Sequence, residues 1–172
     1  SAGIAAGATG IAALTGKMLN ARAELEQQLG GSEAVFGQYA TNIQNIAKNS
    51  YKNMGLSQNE FLAGANKMGS LYQGAGVSVQ DSMKMSAEAI QRATDVASIM
   101  GIDTSFALES VAGMAKGNFT MMDNLGVAMN DTALNAYALE KGIGKTTQQM
   151  SMQEKVSRLY FTECTAILRQ LK

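Results

Sequence analysis

The sequence predicts an all-α protein, a multi-helix bundle of six to eight helices joined by short Gly-containing turns. Three observations carry this. No proline occurs in 172 residues, so no ring removes an amide donor from a helix interior. Apolar residues recur at three- and four-residue steps along most of the chain, with no period-two alternation long enough for a strand. Glycines and polar capping residues punctuate those stripes. Connections of two to six residues favour antiparallel neighbours. Aromatic residues make up only 6%, against twelve Met. The core is therefore expected to be Ala, Met, Leu, Ile and Val, and to be deformable. Residues 1–172 read as a single helical domain: a Gly/Ala-rich N-terminal helix over 1–30, a helical core over 31–156, and a C-terminal helix end over 157–172.

The first stripe is Ile4, Ala8, Ile11, Leu14 or Thr15, Met18, Ala21, Leu25 and Leu29. Gly30-Gly31 is expected to end that helix in a left-handed cap, with Ser32 capping the next. Phe36, Tyr39, Ile43, Ile46 and Ser50 then step by three and four, a seam two to three heptads long that suits an antiparallel hairpin. Met54-Gly55 closes it. Ser57 and Glu60 form a capping box ahead of the stripe Phe61, Ala65, Met68 and Tyr72, which Gly74-Ala75-Gly76 ends. Ser78 with Asp81 starts a helix whose buried stripe is Val79, Met83, Ser86 or Ala87, Ile90, Ala93 and Ala97. Its second stripe, Asp81, Lys84, Glu88, Arg92 and Asp95, alternates in sign and reads as a solvated, self-paired face.

Gly101 ends this helix, and Asp103 or Thr104 caps a shorter one holding Phe106, Val111 and Met114. After Gly117-Asn118, Thr120 and Asp123 start a helix of one to two turns, and Asp131 caps another with Leu134, Tyr137 and Ala138. The stretch 118–144 thus reads as a compact helical turn region, broken at Gly126, Asn130-Asp131 and Gly142. Ser151 with Glu154 opens the last stripe: Met152, Val156, Leu159 or Tyr160, Cys164, Ile167 and Leu171.

Composition narrows the chemistry. Histidine is absent, which removes Ser-His and Cys-His catalysis and the commonest metal ligand. The one cysteine, Cys164, falls on an apolar stripe and reads as an inert core thiol. Gly144-Lys145-Thr146 matches the end of a phosphate loop, but the pattern needs a glycine where Leu139 stands and a preceding strand. No catalytic, cofactor-binding or metal-ligating residue is assigned, and the segment is expected not to be an enzyme. Fourteen basic and fourteen acidic residues leave no net charge; no specific nucleic-acid binding is expected. No apolar run is long enough to cross a membrane. The chain begins with Ser1 and is expected to be a fragment of something longer.

Several phrases, in this order, resemble the tail tape measure proteins of long-tailed phages and prophages. They are MGLS (Met54–Ser57), MGSLYQGAGVS (Met68–Ser78) and SAEAIQRATDVASIMGIDTSFALESVAGMAKGNFTMMDNLGVAMND (Ser86–Asp131). LNAYALEKGIG (Leu134–Gly144) and MSMQEKV (Met150–Val156) follow. Each is weak alone and specific in combination. The likeness spans residues 30–156, and RLYFTECTAILRQLK departs from it.

The resemblance implies a structural segment involved in tail assembly and tail-length determination, located in the virion tail and assembled in the bacterial cytoplasm. Its implied partners are tail tube and tail tip or baseplate proteins and the tail assembly chaperones. Self-association through Met-rich stripes is a further expectation. One extended helix of this length would span about 260 Å, whereas a compact fold has a radius of gyration of about 16 Å. Two forms are therefore expected: a bundle that opens at its Gly breaks in the tail, or a module that stays globular at one tail end. The competing class is a helical interaction module of a bacterial scaffold or secreted protein.

Overall fold

The computed structural model describes the backbone of residues 3–160 except 128, and the side chains of residues 17–158 except 128. Among these residues there are eight α-helices and no strand, the class predicted. α1 spans Gly3–Phe36. A 3-10 turn, Gly37–Tyr39, folds the chain back into α2 (Ala40–Lys48), which α3 (Ser50–Met54) follows. α4 (Gln58–Gly74) and α5 (Val79–Met100) are the central pair, and α6 (Thr104–Ala115) packs on both. A 3-10 helix, Phe119–Leu125, and α7 (Asp131–Glu140) close the second half. The 3-10 turn Thr147–Gln149 leads to α8 (Met152–Glu154), which continues as a π-helical run, Lys155–Tyr160.

The caps follow the sequence closely. Ser57 and Glu60 form the predicted capping box. The Ser78 hydroxyl accepts from the Asp81 amide at 3.1 Å, and Asp103 accepts from the amides of Ser105 and Phe106. Ser151 and Glu154 again cap reciprocally. One cap shifts by a residue: Asn130, not Asp131, accepts from the Ala133 amide, at 2.9 Å, and Asp131 is left to complement the N-terminal dipole. The helix predicted from Thr120 is 3-10, and its N-cap position is Asn118 without a side-chain cap.

The largest departure is at Gly30-Gly31. The helix does not end there but runs six residues beyond Gly30, to Phe36. Gly31 lies where α4 crosses: a Cβ built on it would sit 2.8 Å from Asn66 Nδ2. The glycine is there for close approach, not for a left-handed cap. Ser32 is consequently no N-cap. It is buried in mid-helix, donates to the Leu29 carbonyl at 2.7 Å, and accepts from Gln44 Nε2 on α2 at 2.8 Å. Gln44 facing 29–32 makes α1 and α2 an antiparallel hairpin. The seam from Phe36 to Ser50 points inward as predicted, though split between the turn and three helices, α1, α2 and α3.

α1 and α4, by contrast, run parallel. Asn59, Asn66 and Gln73, seven apart on α4, donate in turn to the Glu24 carboxylate, to the Gln28 carbonyl and side chain, and to the Val35 carbonyl. The partners ascend together, which two parallel helices require. Connection lengths relate only consecutive elements, so they carry no information on this pair.

The core consists of two apolar clusters, both built on α4 and α5. The first holds Phe36, Ala40, Ile43, Leu56, Phe61, Leu62, Ala65, Met83 and Ile90. The second holds Met68, Tyr72 and Val96 with Val111, Met114, Met122, Leu125, Leu134 and Val156. The expected aliphatic core is corrected here: Phe36, Phe61 and Tyr72 are all fully buried, each contributing about 1.5–3 kcal/mol by area alone. Phe36 fits because Gly69 on α4 has no Cβ; one would meet its ring.

Other stripe positions also differ. Val79 and Met152 are exposed because each lies in a first turn at the rim, while Met85, Ala89 and Val96 widen the buried face of α5. Met18 and Ala21 are exposed because α1 at that point has passed the end of its neighbours. Cys164, Ile167 and Leu171, and the side chains of residues 1–16, 159 and 160, lie outside the described residues.

Candidate functional site

No group of three or more His, Cys, Asp or Glu that could hold a metal occurs among the described residues. The phosphate-loop-like segment is engaged internally. The Lys145 amide donates to the Ile143 carbonyl, the Thr146 amide to Gln149 Oε1, and the Thr147 amide to Asn135 Oδ1. Lys145 Nζ lies 2.6 Å from the Glu154 carboxylate. A phosphate cradle needs those three amides and that ammonium pointing at one anion, and here each already serves another partner. The hydrogen bond from Lys145, with that from the Ser151 amide, brings the Glu154 carboxyl down to about 2. Gly142 follows α7 as a helix end, and among the described residues no strand precedes the segment.

The alternating stripe on α5 pairs with itself where predicted: Arg92 lies 3.8 Å from Glu88 and 3.6 Å from Asp95. The solvated half of the expectation is corrected. Arg92 and Asp95 are mostly covered; the end of α3, at Asn53, Met54 and Gly55, lies beside Asp95. Glu88 and Asp95 share one guanidinium between them.

Two apolar features of the described residues reach the surface. Between α4 and α6 lies a groove of about 280 Å³ floored by Ala63, Gly64, Met68, Leu108 and Ala112. An ion pair between Lys67 and Glu109 crosses its rim; that hydrogen bond holds the Glu109 carboxyl below its ordinary value. Around the α5–α6 turn, Ile99, Met100 and Phe106 are each roughly half exposed. Only their apolar character was legible in sequence: Phe106 reads as a core residue of α6, yet it faces solvent because Ala107, Val111 and Met114 take the buried face. No helix among the described residues is long and apolar enough to cross a membrane. In comparisons with protein-family models, curated proteins and solved structures, the chain matches none.

Proposed function

We propose that the chain is a structural segment of a phage or prophage tail tape measure protein, acting in tail assembly through helix–helix and protein–protein contacts with tube, tip and chaperone partners. The observation that carries this reading is the ordered set of phrases from Met54 to Val156. The all-α fold, its apolar groove and its half-exposed apolar corner are compatible with a protein that works by contact. An in-frame deletion of residues 31–156 from the parent gene tests it, with tails measured by electron microscopy. A ruler segment shortens the tail by about 190 Å if extended as helix. Tails of normal length that fail to infect would assign the segment to a folded module at one tail end. Tails unchanged in both length and infectivity would reject the proposal.

One observation favours a second reading, a helical interaction module of a scaffold or secreted protein. The bundle is closed around fully buried Phe36, Phe61 and Tyr72, and a closed bundle cannot report chain length. This reading predicts the third outcome of the same deletion.

A further inference from the structure

Five of the helices start with a side-chain cap: Ser57, Ser78, Asp103, Asn130 and Ser151 each accept from a backbone amide two or three residues on. The break between α1 and α2 has none. Neither Phe36 nor Tyr39 offers a cap, and Phe36, Tyr39 and Ala40 all keep right-handed helical backbone. The reversal is made by Gly37, at φ 51°, and a Cβ there would meet nothing within 4 Å. The bend is therefore a matter of backbone conformation at one residue, with no crowding that demands glycine.

The seam that holds α1 down is also imperfect. The side-chain oxygens of Asn59 and Asn66 are buried on it without a hydrogen-bond partner. Water would satisfy both if the seam opened. Against opening stand Phe36, fully buried beside Gly69, the buried Ala40, Ile43 and Ala47 of α2 in the same cluster, and the hydrogen bonds from Gln44 to Leu29 and Ser32, which keep the hairpin the major state.

We infer that α1 and α2 interconvert between this hairpin and one straight helix running through residues 3–48, with Gly37 as the switch. The inference rests on backbone geometry and holds whether or not the chain belongs to a phage tail. In the straight form Gly37 leaves positive φ for the helical region. An alanine there is disfavoured in the hairpin and favoured in the helix, so Gly37→Ala should move the equilibrium toward the straight form by on the order of thirty-fold. Gly55→Ala is the control. Gly55 has φ 71° and open surroundings too, but the Ser57–Glu60 box two residues on commits the chain to a new helix.

Spin labels at Gln27→Cys and Lys48→Cys, in a Cys164→Ser background, report the change. Since Gln44 faces 29–32, residue 48 lies abreast of 25–28 in the hairpin, about 10 Å across the helix pair. In a straight helix the two positions are about 32 Å apart. Gly37→Ala is expected to populate the long distance with helical circular dichroism retained, and Gly55→Ala to keep the short one. A short distance alone in Gly37→Ala, loss of its helical signal, or the same long distance in Gly55→Ala would each overturn the inference.

Discussion

Gly69 and Phe36 show how much a single absent methyl can decide. Phe36 closes α1 and is fully buried, and its ring occupies the space a Cβ at position 69 would need. Gly69→Ala sets two effects against each other. Alanine favours the helix by about 1 kcal/mol, while overpacking a filled core costs about 1–3 kcal/mol. Phe36 is fully buried within its apolar cluster, so the clash is expected to win, with a net loss of about 1 kcal/mol in urea unfolding. Adding Phe36→Leu should recover part of that loss, because the two sites share one space. An unchanged midpoint in Gly69→Ala would show that the helices separate at little cost.

At the scale of the element, the same residue type does opposite work in two places. Ser57 and Ser32 both read as helix caps. Ser57 is one, at β-region backbone with its hydroxyl accepting from the Glu60 amide. Ser32 sits inside α1 and links Leu29 to Gln44. Glycine tells them apart. At an N-cap it replaces serine for a few tenths of a kcal/mol; in mid-helix it costs about 1 kcal/mol in backbone entropy plus about 1 kcal/mol for the lost buried hydrogen bond. Ser32→Gly should therefore lower stability several times more than Ser57→Gly in matched urea melts. Equal losses would mean that α1 does end near Gly31.

Over the whole molecule, three lowered carboxylates make stability depend on pH at the acid end. Glu154 is held at about 2 by Lys145 and the Ser151 amide. Glu109 is lowered by its hydrogen bond to Lys67, and Asp103 by the Ser105 hydroxyl and the Phe106 and Ser105 amides. Each is lower in the folded than in the unfolded chain, so the unfolded chain binds more protons and stability rises with pH through this window. Their contribution is complete above about pH 4.5 and lost as pH falls toward 2. The urea midpoint should therefore drop between pH 5 and pH 2.5, and Lys145→Ala should shrink that drop while returning the Glu154 titration, followed by carboxyl NMR, toward the ordinary range. A midpoint that is flat with pH would contradict these pairings.

The helical class, the caps at Ser57, Ser78, Asp103 and Ser151, and the inward stripe from Phe61 to Tyr72 were legible in the chain itself. Each is settled by residues within about four positions of one another, where a hydroxyl meets an amide or a period of 3.6 sets the buried face. The internal wiring of the candidate sites was not. That Lys145 is held by Glu154, that Arg92 and Asp95 are covered, and that Phe106 faces outward depend on neighbours brought in by packing. The same holds for glycine. Gly55 and Gly101 end helices, but Gly31 and Gly69 make room for Asn66 and Phe36, residues 35 and 33 positions away. Whether a glycine breaks a helix or admits a partner is decided by what crosses it, and tertiary structure alone supplies the crossing.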